Sequence, residues 1–225
     1  MNGYKYETHM HTTQVSRCAL SSPAQQVRAY KKRGYAGVII TEHFVNGNSN
    51  IPYHIPWDEK MRLYYRGYEK TKKAGEKYGL DVFFGMEYGI YGSDFLTYGL
   101  DLDFLLANPG FDELPIDKYS ALVRAYCGYI AQAHPYRSAY WIRNSFPAPA
   151  EFVDGIEVFN ASMPRDVNEK AFAFARENGL PMQAGSDSHY EKLDFTSGVI
   201  LEHKAGDIFD IINAVKKKEI TLITP

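Results

Sequence analysis

Hydrophobic positions along this chain fall into two alternating spacings. Short apolar runs read as buried strands: Gly37-Val-Ile-Ile-Thr41, Asp81-Val-Phe-Phe-Gly85, Leu96-Thr-Tyr-Gly-Leu100, Tyr129-Ile-Ala-Gln-Ala133, Gly155-Ile-Glu-Val-Phe159, Pro181-Met-Gln-Ala184, Gly198-Val-Ile-Leu201 and Thr221-Leu-Ile223. Near the start, Tyr6 to Thr13 mixes apolar and polar residues and reads as a further extended stretch. Between these runs lie segments punctuated as helices. Ser22 as N-cap, Pro23 in the first turn and Gly34 as the stop bracket the first. Glu59 to Tyr78 stops at Gly79, and Asp117 to Tyr126 and Asp166 to Asn178 follow. Asp207 to Lys218 ends in lysines that complement the helix dipole. Phe44 to Trp57, rich in Asn, Gly, Ser and Pro, reads as a long loop.

Strands separated by helices make a parallel sheet. About seven such units favour a closed or nearly closed barrel over an open doubly wound sheet, and 225 residues accommodate them in one α/β domain, residues 1–225. No Gly-x-Gly-x-x-Gly follows the first strand, so the dinucleotide-binding version lacks its fingerprint.

Composition narrows the class. At 45% hydrophobic residues the chain can bury a full core, and a formal net charge of −2 with interspersed signs gives no basic nucleic-acid footprint. A small soluble substrate is the simpler expectation. Two cysteines, Cys18 and Cys127, are too few for a disulfide framework and fit a reducing compartment. The start Met1-Asn2-Gly3-Tyr4 has no signal pattern, and no apolar stretch approaches the roughly 20 residues that span a bilayer. A cytoplasmic location without membrane association follows as an expectation. The 18 tyrosines read as amphipathic packing at the core edge.

The chemistry gathers where strands end. His9 and His11 are one residue apart, so an extended backbone aims both imidazoles to one side. His43, Glu87, His134, Asn160 and the pair Asp187 and His189 sit at or just past later strand ends. In a parallel barrel these ends share the face that carries active sites. Of the 7 histidines, only His54 and His203 lie elsewhere. Gly185, just before Asp187, allows close backbone approach. Mixed imidazole and carboxylate donors suit Zn²⁺, Mn²⁺ or Fe²⁺, and a carboxylate such as Glu87 can bridge two ions. Two or more ions holding a bridging hydroxide would make a hydrolase, most naturally of phosphate esters.

The segments His9-x-His11-Thr12, Ile39-Ile-Thr-Glu42-His43, Gly85-Met-Glu87, Ala133-His134-Pro135, Gly155-Ile-Glu-Val-Phe-Asn160 and Gly185-Ser-Asp187-Ser-His189 resemble, in order, the motifs of the PHP (polymerase and histidinol phosphatase) family. The resemblance covers about residues 5 to 190. It implies a distorted (β/α)7 TIM-like barrel with two or three divalent metal ions that hydrolyses phosphomonoesters or small phosphodiesters. By matching motif, His9, His11, Glu87 and Asp187 would hold one ion. Glu87 with His134 would hold a second, and His43 with His189 a third.

Three departures stand out. Glu42 occupies a position where the family has Asp; it is carried into the ligand set or stands behind it. Phe95-Leu-Thr-Tyr-Gly99 lacks the histidine many members supply there, which leaves the second site a ligand short. Ser16-Arg17-Cys18 stands where many members have Asp or His, and Cys18 is either a soft ligand or merely nearby. Arg137 is the favoured phosphate anchor, with Arg17 and Arg143 as further candidates. Asp187, His189 and Arg137 are the expected catalytic residues, His189 or His43 protonating the leaving group. Tyr53, His54 and Trp57 are candidates for a lid or specificity wall. Histidinol-phosphate phosphatase, a metal amidohydrolase, a non-catalytic PHP module and a nuclease for short oligonucleotides are the alternatives. Substrate, metal identity and oligomeric state are not written in the motifs.

Overall fold

The computed structural model describes residues 3–140, 142 and 146–225. Nine strands form one sheet: β1 (Tyr4–Met10), β2 (Gly37–Ile40), β3 (Asp81–Ile90), β4 (Ser93–Tyr98), β5 (Tyr129–Gln132), β6 (Gly155–Asn160), β7 (Met182–Gly185), β8 (Gly198–Leu201) and β9 (Thr221–Ile223). Their order across the sheet is β7-β6-β5-β4-β3-β2-β1-β8-β9. The sheet curls until β7 returns to β1. There the Ser188 amide donates to the His9 carbonyl and the His11 amide to that of Ser188, at 3.1 and 2.9 Å. The result is a distorted, nearly closed α/β barrel, as the strand and helix rhythm predicts.

The helices are α1 (Pro23–Lys32), α2 (Trp57–Tyr78), α3 (Leu102–Ala107), α4 (Ile116–Ala125), α5 (Arg165–Glu177) and α6 (Ile208–Lys217). α1 begins in a reciprocal cap, with Ser22 accepting from the Gln25 amide and the Gln25 side chain returning to the Ser22 backbone. It ends beside Gly34 at φ +77°, a left-handed position that suits glycine. Asp207 caps α6 by accepting from the Phe209 and Asp210 amides. Boundaries predicted from the sequence agree within a few residues, while α3 carries too short an apolar pattern to announce itself.

The strand β2 shows why its sequence is continuously apolar. Val38 and Ile40 pack with Val27 and Tyr30 of α1, whereas Ile39 faces the cluster of Tyr6, Leu96, Tyr98 and Tyr129. Both faces are covered, so neither is polar. The second cluster also takes Ile211, Ile212 and Val215 of α6. That helix closes the end of the barrel where the parallel strands begin, and leaves the opposite end to the chemistry. Tyr6, Tyr30, Tyr64, Tyr88, Tyr98, Tyr119 and Tyr129 are fully buried rather than at the core edge, while others such as Tyr53 and Tyr91 are exposed. Among buried hydroxyls, Tyr64 donates to the Glu42 carbonyl at 2.7 Å and Tyr98 to that of Thr8 at 2.9 Å, whereas that of Tyr129 is left without a partner.

One expectation is corrected: the sheet is mixed rather than parallel. β4 runs antiparallel to both β3 and β5, and β8 antiparallel to β1 and β9. For β4 the cause is a tight connection between Ile90 and Ser93, in which Tyr91 and Gly92 both take positive φ, 51° and 90°. A two-residue hairpin of this kind reverses the chain and cannot make a parallel crossover. Among the described residues, no helix is long and apolar enough to cross a membrane.

Candidate metal centre

His9, His11, Glu87, His134, Asp187, His43 and His189 all arrive at one rim. The last residues of β1 supply His9, and the loops after β1, β2, β5 and β7 supply His11, His43, His134, Asp187 and His189. Glu87 comes from β3, whose ladder continues beyond the strand end expected from sequence. Gly185 is required where β7 meets β1, because a Cβ there would stand 2.7 Å from His9 Cβ and 2.5 Å from Glu157 Oε1.

The two Glu87 oxygens face different rings. Oε1 lies 3.2 Å from His9 Nε2 and 3.1 Å from His134 Nε2; Oε2 lies 2.6 Å from His43 Nδ1 and 3.5 Å from His11 Nε2. Asp187 Oδ1 stands 3.4 Å from His9 Nε2 and 3.3 Å from His11 Nε2. Asp187 holds this position at φ +52°, and His134 holds φ +28°. Such conformations cost a non-glycine residue free energy and persist where the surroundings fix them.

Hydrogen bonds on the outer nitrogens orient the rings. His9 Nδ1 lies 2.9 Å from Glu157 Oε1, and Glu157 Oε2 accepts from the His134 amide and from Asn160 Nδ2, both at 2.9 Å. His11 Nδ1 lies 3.0 Å from Ser16 Oγ. That hydroxyl spends its proton on Glu42 Oε2 at 2.6 Å, so it accepts from His11 and leaves Nε2 as the lone-pair nitrogen. His189 Nδ1 lies 3.0 Å from the Asp187 carbonyl. Carboxylate, hydroxyl or carbonyl behind an imidazole is the arrangement that fixes metal-ligating histidines.

What the inner atoms lack is decisive for the fit. His9 Nε2 and His11 Nε2 are buried without a hydrogen-bond partner, and Glu87 Oε2 has no well-aligned hydrogen bond beyond its 2.6 Å ion pair with His43 Nδ1. Burying a carboxylate without compensation costs several kcal/mol, and buried polar atoms are otherwise satisfied almost throughout proteins. The donor set therefore fits divalent cations. Among the described residues, four groups bring donor atoms within 4.8 Å of one another: His9, His11 and Asp187; Glu87, Asp94 and His134; His11, His43 and His189; and His9, His134 and Glu157.

Charge balance follows the same geometry. Burial works against the charged form of His9, yet Asp187, Glu157 and Glu87 outweigh it and raise its pKa well above the ordinary value. His43 behaves alike, lifted by Glu87 against its burial. His11, by contrast, is lowered well below it by burial and by the neighbouring His189 and His43. Glu87 and Asp187 stay well below the usual carboxylate range despite burial, Glu87 through His43 and His9, Asp187 through His9, His11 and His134. For the Cys18 thiol partial burial pushes up, but hydrogen bonds with His189 and His43 win and bring it to about 6.

Several expectations need correction. Glu42 does not join the converging donors. Its oxygens accept from the backbone and hydroxyl of both Thr12 and Ser16, with the Thr12 amide at 3.0 Å and the Ser16 amide at 3.2 Å. It acts on the rim only through Ser16. The second group gains a carboxylate that the sequence reading did not place there, Asp94, 4.0 Å from His134 Nε2. Arg137 places Nη2 2.5 Å from Asp94 Oδ2, and Nη1 3.5 Å from His134 Nε2. Arg17 instead donates to the Ser49 carbonyl at 3.0 Å and is turned away from a phosphate role. Arg143 lies outside the described residues. Trp57 is no lid residue: it opens α2 and donates Nε1 to the Leu105 carbonyl at 2.7 Å. Tyr53 is exposed, its ring beside Lys60 Nζ.

A family model described as PHP-associated matches residues 165–192. No curated protein matches the chain. Among solved structures, the chain is similar to a two-domain protein from Bacteroides vulgatus that contains a predicted PHP-like metal-dependent phosphoesterase. The identity is 17% and the TM-score 0.74, over 99% of this chain and 65% of that one. The present chain thus spans just under two thirds of that protein. It is also similar to PsfC from Pseudomonas syringae, at 14% identity and a TM-score of 0.66, covering 100% of this chain and 93% of that one. An amidohydrolase from Chromobacterium violaceum, solved with sulfate and no metal, shares 13% identity at a TM-score of 0.58, over 96% and 97%. At such identities the likeness is one of fold.

Proposed function

We propose that this chain, a member of the PHP family by its 165–192 segment and its barrel, is a metal-dependent phosphoesterase acting on a small phosphate ester. The observation that carries the reading is the convergence at the rim of His9 Nε2 and His11 Nε2, both buried and without hydrogen bonds, around the buried Glu87 carboxylate. His9, His11, Glu87 and Asp187 would hold one ion, Glu87, Asp94 and His134 a second, and His43 with His189 a third. When bound, such ions supply Lewis acidity toward water and toward the phosphate oxygens.

The chain's own residues do the rest. Glu157, Ser16 and the Asp187 carbonyl hold the outer ring nitrogens, so the inner ones stay aimed without reorganisation. Arg137 is three residues past His134 and keeps its guanidinium over the same group, with Nε buried and without a partner. It would take a phosphate oxygen and balance charge developing in the transition state. Where the third ion is absent, His189, less buried than His43, would donate the proton that the departing alkoxide takes up.

The test is metal content per chain, followed by turnover of phosphomonoesters, phosphodiesters, short oligonucleotides and amides with the same ions. Two or three equivalents of ion and hydrolysis of a phosphate ester are expected, both lost or reduced below detection in Asp187→Asn with the far-UV spectrum unchanged. Full turnover in Asp187→Asn would sink the mechanism. Amide hydrolysis alone would hand the site to the amidohydrolase alternative, and a chain that takes up no ion would be a non-catalytic module.

A further inference from the structure

The turn after β5 folds an arginine back over the rim. The Arg137 amide donates to the His134 carbonyl at 3.1 Å, and Pro135 and Tyr136 take the corner between them, Tyr136 at φ +70°. From the other side, the Asp94 carbonyl accepts the Ala133 amide at 2.9 Å, which fixes β4 against the same turn. One oxygen of the Asp94 carboxylate, Oδ1, is turned toward Gly89 across the hairpin, 3.5 Å from where a side chain there would begin. The other, Oδ2, is left to the rim.

That oxygen already holds a cation. Arg137 Nη2 stands 2.5 Å from Asp94 Oδ2 and Nη1 3.5 Å from His134 Nε2, while His134 Nε2 is itself 4.0 Å from Asp94 Oδ2. The guanidinium thus spans the two atoms that would take an ion. A divalent ion bonds such atoms at about 2.0–2.2 Å, so both cations would draw on the same lone pairs and repel each other. The space bounded by Asp94, His134, Pro135 and Arg137 is about 10 Å³, the least that takes one water. Yet Arg137 is not saturated where it lies: Nε is buried without a hydrogen bond, and the side chain is 24% exposed, which leaves it a free donor and a way toward solvent. Among the described residues, Glu87 and Asp187 form ion pairs with histidines alone. A histidine sheds its proton and becomes a ligand; an arginine keeps its charge and has to move.

We propose that Arg137 is a displaceable internal cation of the Glu87, Asp94 and His134 group, so that an ion and a phosphate oxyanion bind there together. The anion draws the guanidinium off Asp94, and the ion takes the oxygen it leaves. The proposal rests on the metal-dependent phosphoesterase reading above and adds to it how one ion position is regulated. Arginine suits the exchange because its planar fork matches carboxylate and phosphate oxygens alike. By reciprocity, phosphate strengthens ion binding by the same factor as the ion strengthens phosphate binding.

The chelator-treated full chain is titrated with manganese(II) and with zinc(II) against a fluorescent indicator, with and without inorganic phosphate, alongside Arg137→Gln and Asp94→Asn of unchanged far-UV spectrum. Without phosphate the wild type is expected to bind one equivalent more weakly than the rest. Arg137→Gln should bind that equivalent more tightly, by about 5- to 150-fold, the usual range of coupling between sites. Asp94→Asn should lose it, which identifies the group. Phosphate should tighten it in the wild type and much less in Arg137→Gln, where the anion acts only by touching the ion itself. An Arg137→Gln affinity no higher than that of the wild type, or a phosphate effect equally large in both, overturns the proposal and leaves the metal centre standing. A chain that takes up neither ion overturns both.

Discussion

Glu42 and Glu87 belong to neighbouring stretches of one barrel and are buried alike, 3% and 1% exposed, yet their surroundings are opposite. Glu42 is enclosed by amides and hydroxyls of Thr12 and Ser16, donors the fold itself supplies. Glu87 looks out on ring nitrogens of His9, His11, His43 and His134 and takes no backbone or hydroxyl donor. Burial raises the Glu42 carboxyl in spite of its donors, while the histidines overcome burial for Glu87 and keep it ionised. A carboxylate saturated by permanent donors completes the fold. One left among ring nitrogens that are themselves unsatisfied is set for a cation.

The contrast breaks most readily in the ion-free protein. Glu42→Ala strands the donors of Thr12 and Ser16, and at about 1–3 kcal/mol for each buried group left unpaired the loss should reach about 3 kcal/mol or more in urea unfolding. An unchanged midpoint would place Glu42 with Glu87 and erase the distinction. Glu87→Ala should reveal itself differently, through what ions no longer do. Wild-type protein should gain about 2.7 kcal/mol of stability at an ion concentration one hundred times its Kd, and Glu87→Ala little of it.

That gain has a sign with pH. Ions bind neutral imidazole, and without ions His9 and His43 keep their protons to higher pH than usual. The gain therefore shrinks as pH falls and grows as it rises toward alkaline values, which thermal unfolding with and without ions at several pH values would read. The smallest effect belongs to the supporting layer. Glu157→Gln keeps the shape but weakens the hold on His9 Nδ1, and ion affinity should fall about 10- to 100-fold in a competition titration.

The sequence and the structure part company where chain direction matters. Reading ligands from strand ends finds His9, His11, His43, His134, Asp187 and His189, because those positions follow strands that all point the same way. Asp94 escapes it. It lies near the start of β4, and only because β4 runs backwards does that start reach the rim. The Tyr91-Gly92 turn was the available signal, two residues with glycine second, between two runs that pair as a hairpin. Glu157 is hidden for a different reason. It sits mid-strand in β6, where an apolar reading of Gly155-Ile-Glu-Val-Phe159 takes it for an interruption, yet it accepts from His9, His134 and Asn160 together.

Glu42 shows the limit of motif position. Its place beside His43 in sequence suggests a ligand, but adjacent residues in extended chain point to opposite sides, and Ser16, 26 positions earlier, takes up its carboxylate. Residue type and spacing determined the barrel, the end of it where the histidines and carboxylates gather, and most of the side chains that converge there, because period and strand termini are local properties of the chain. The sense of β4 and the partners of Glu42 and Glu157 were decided only by the folded structure. Each depends on groups far apart in sequence, whose distances no local pattern encodes.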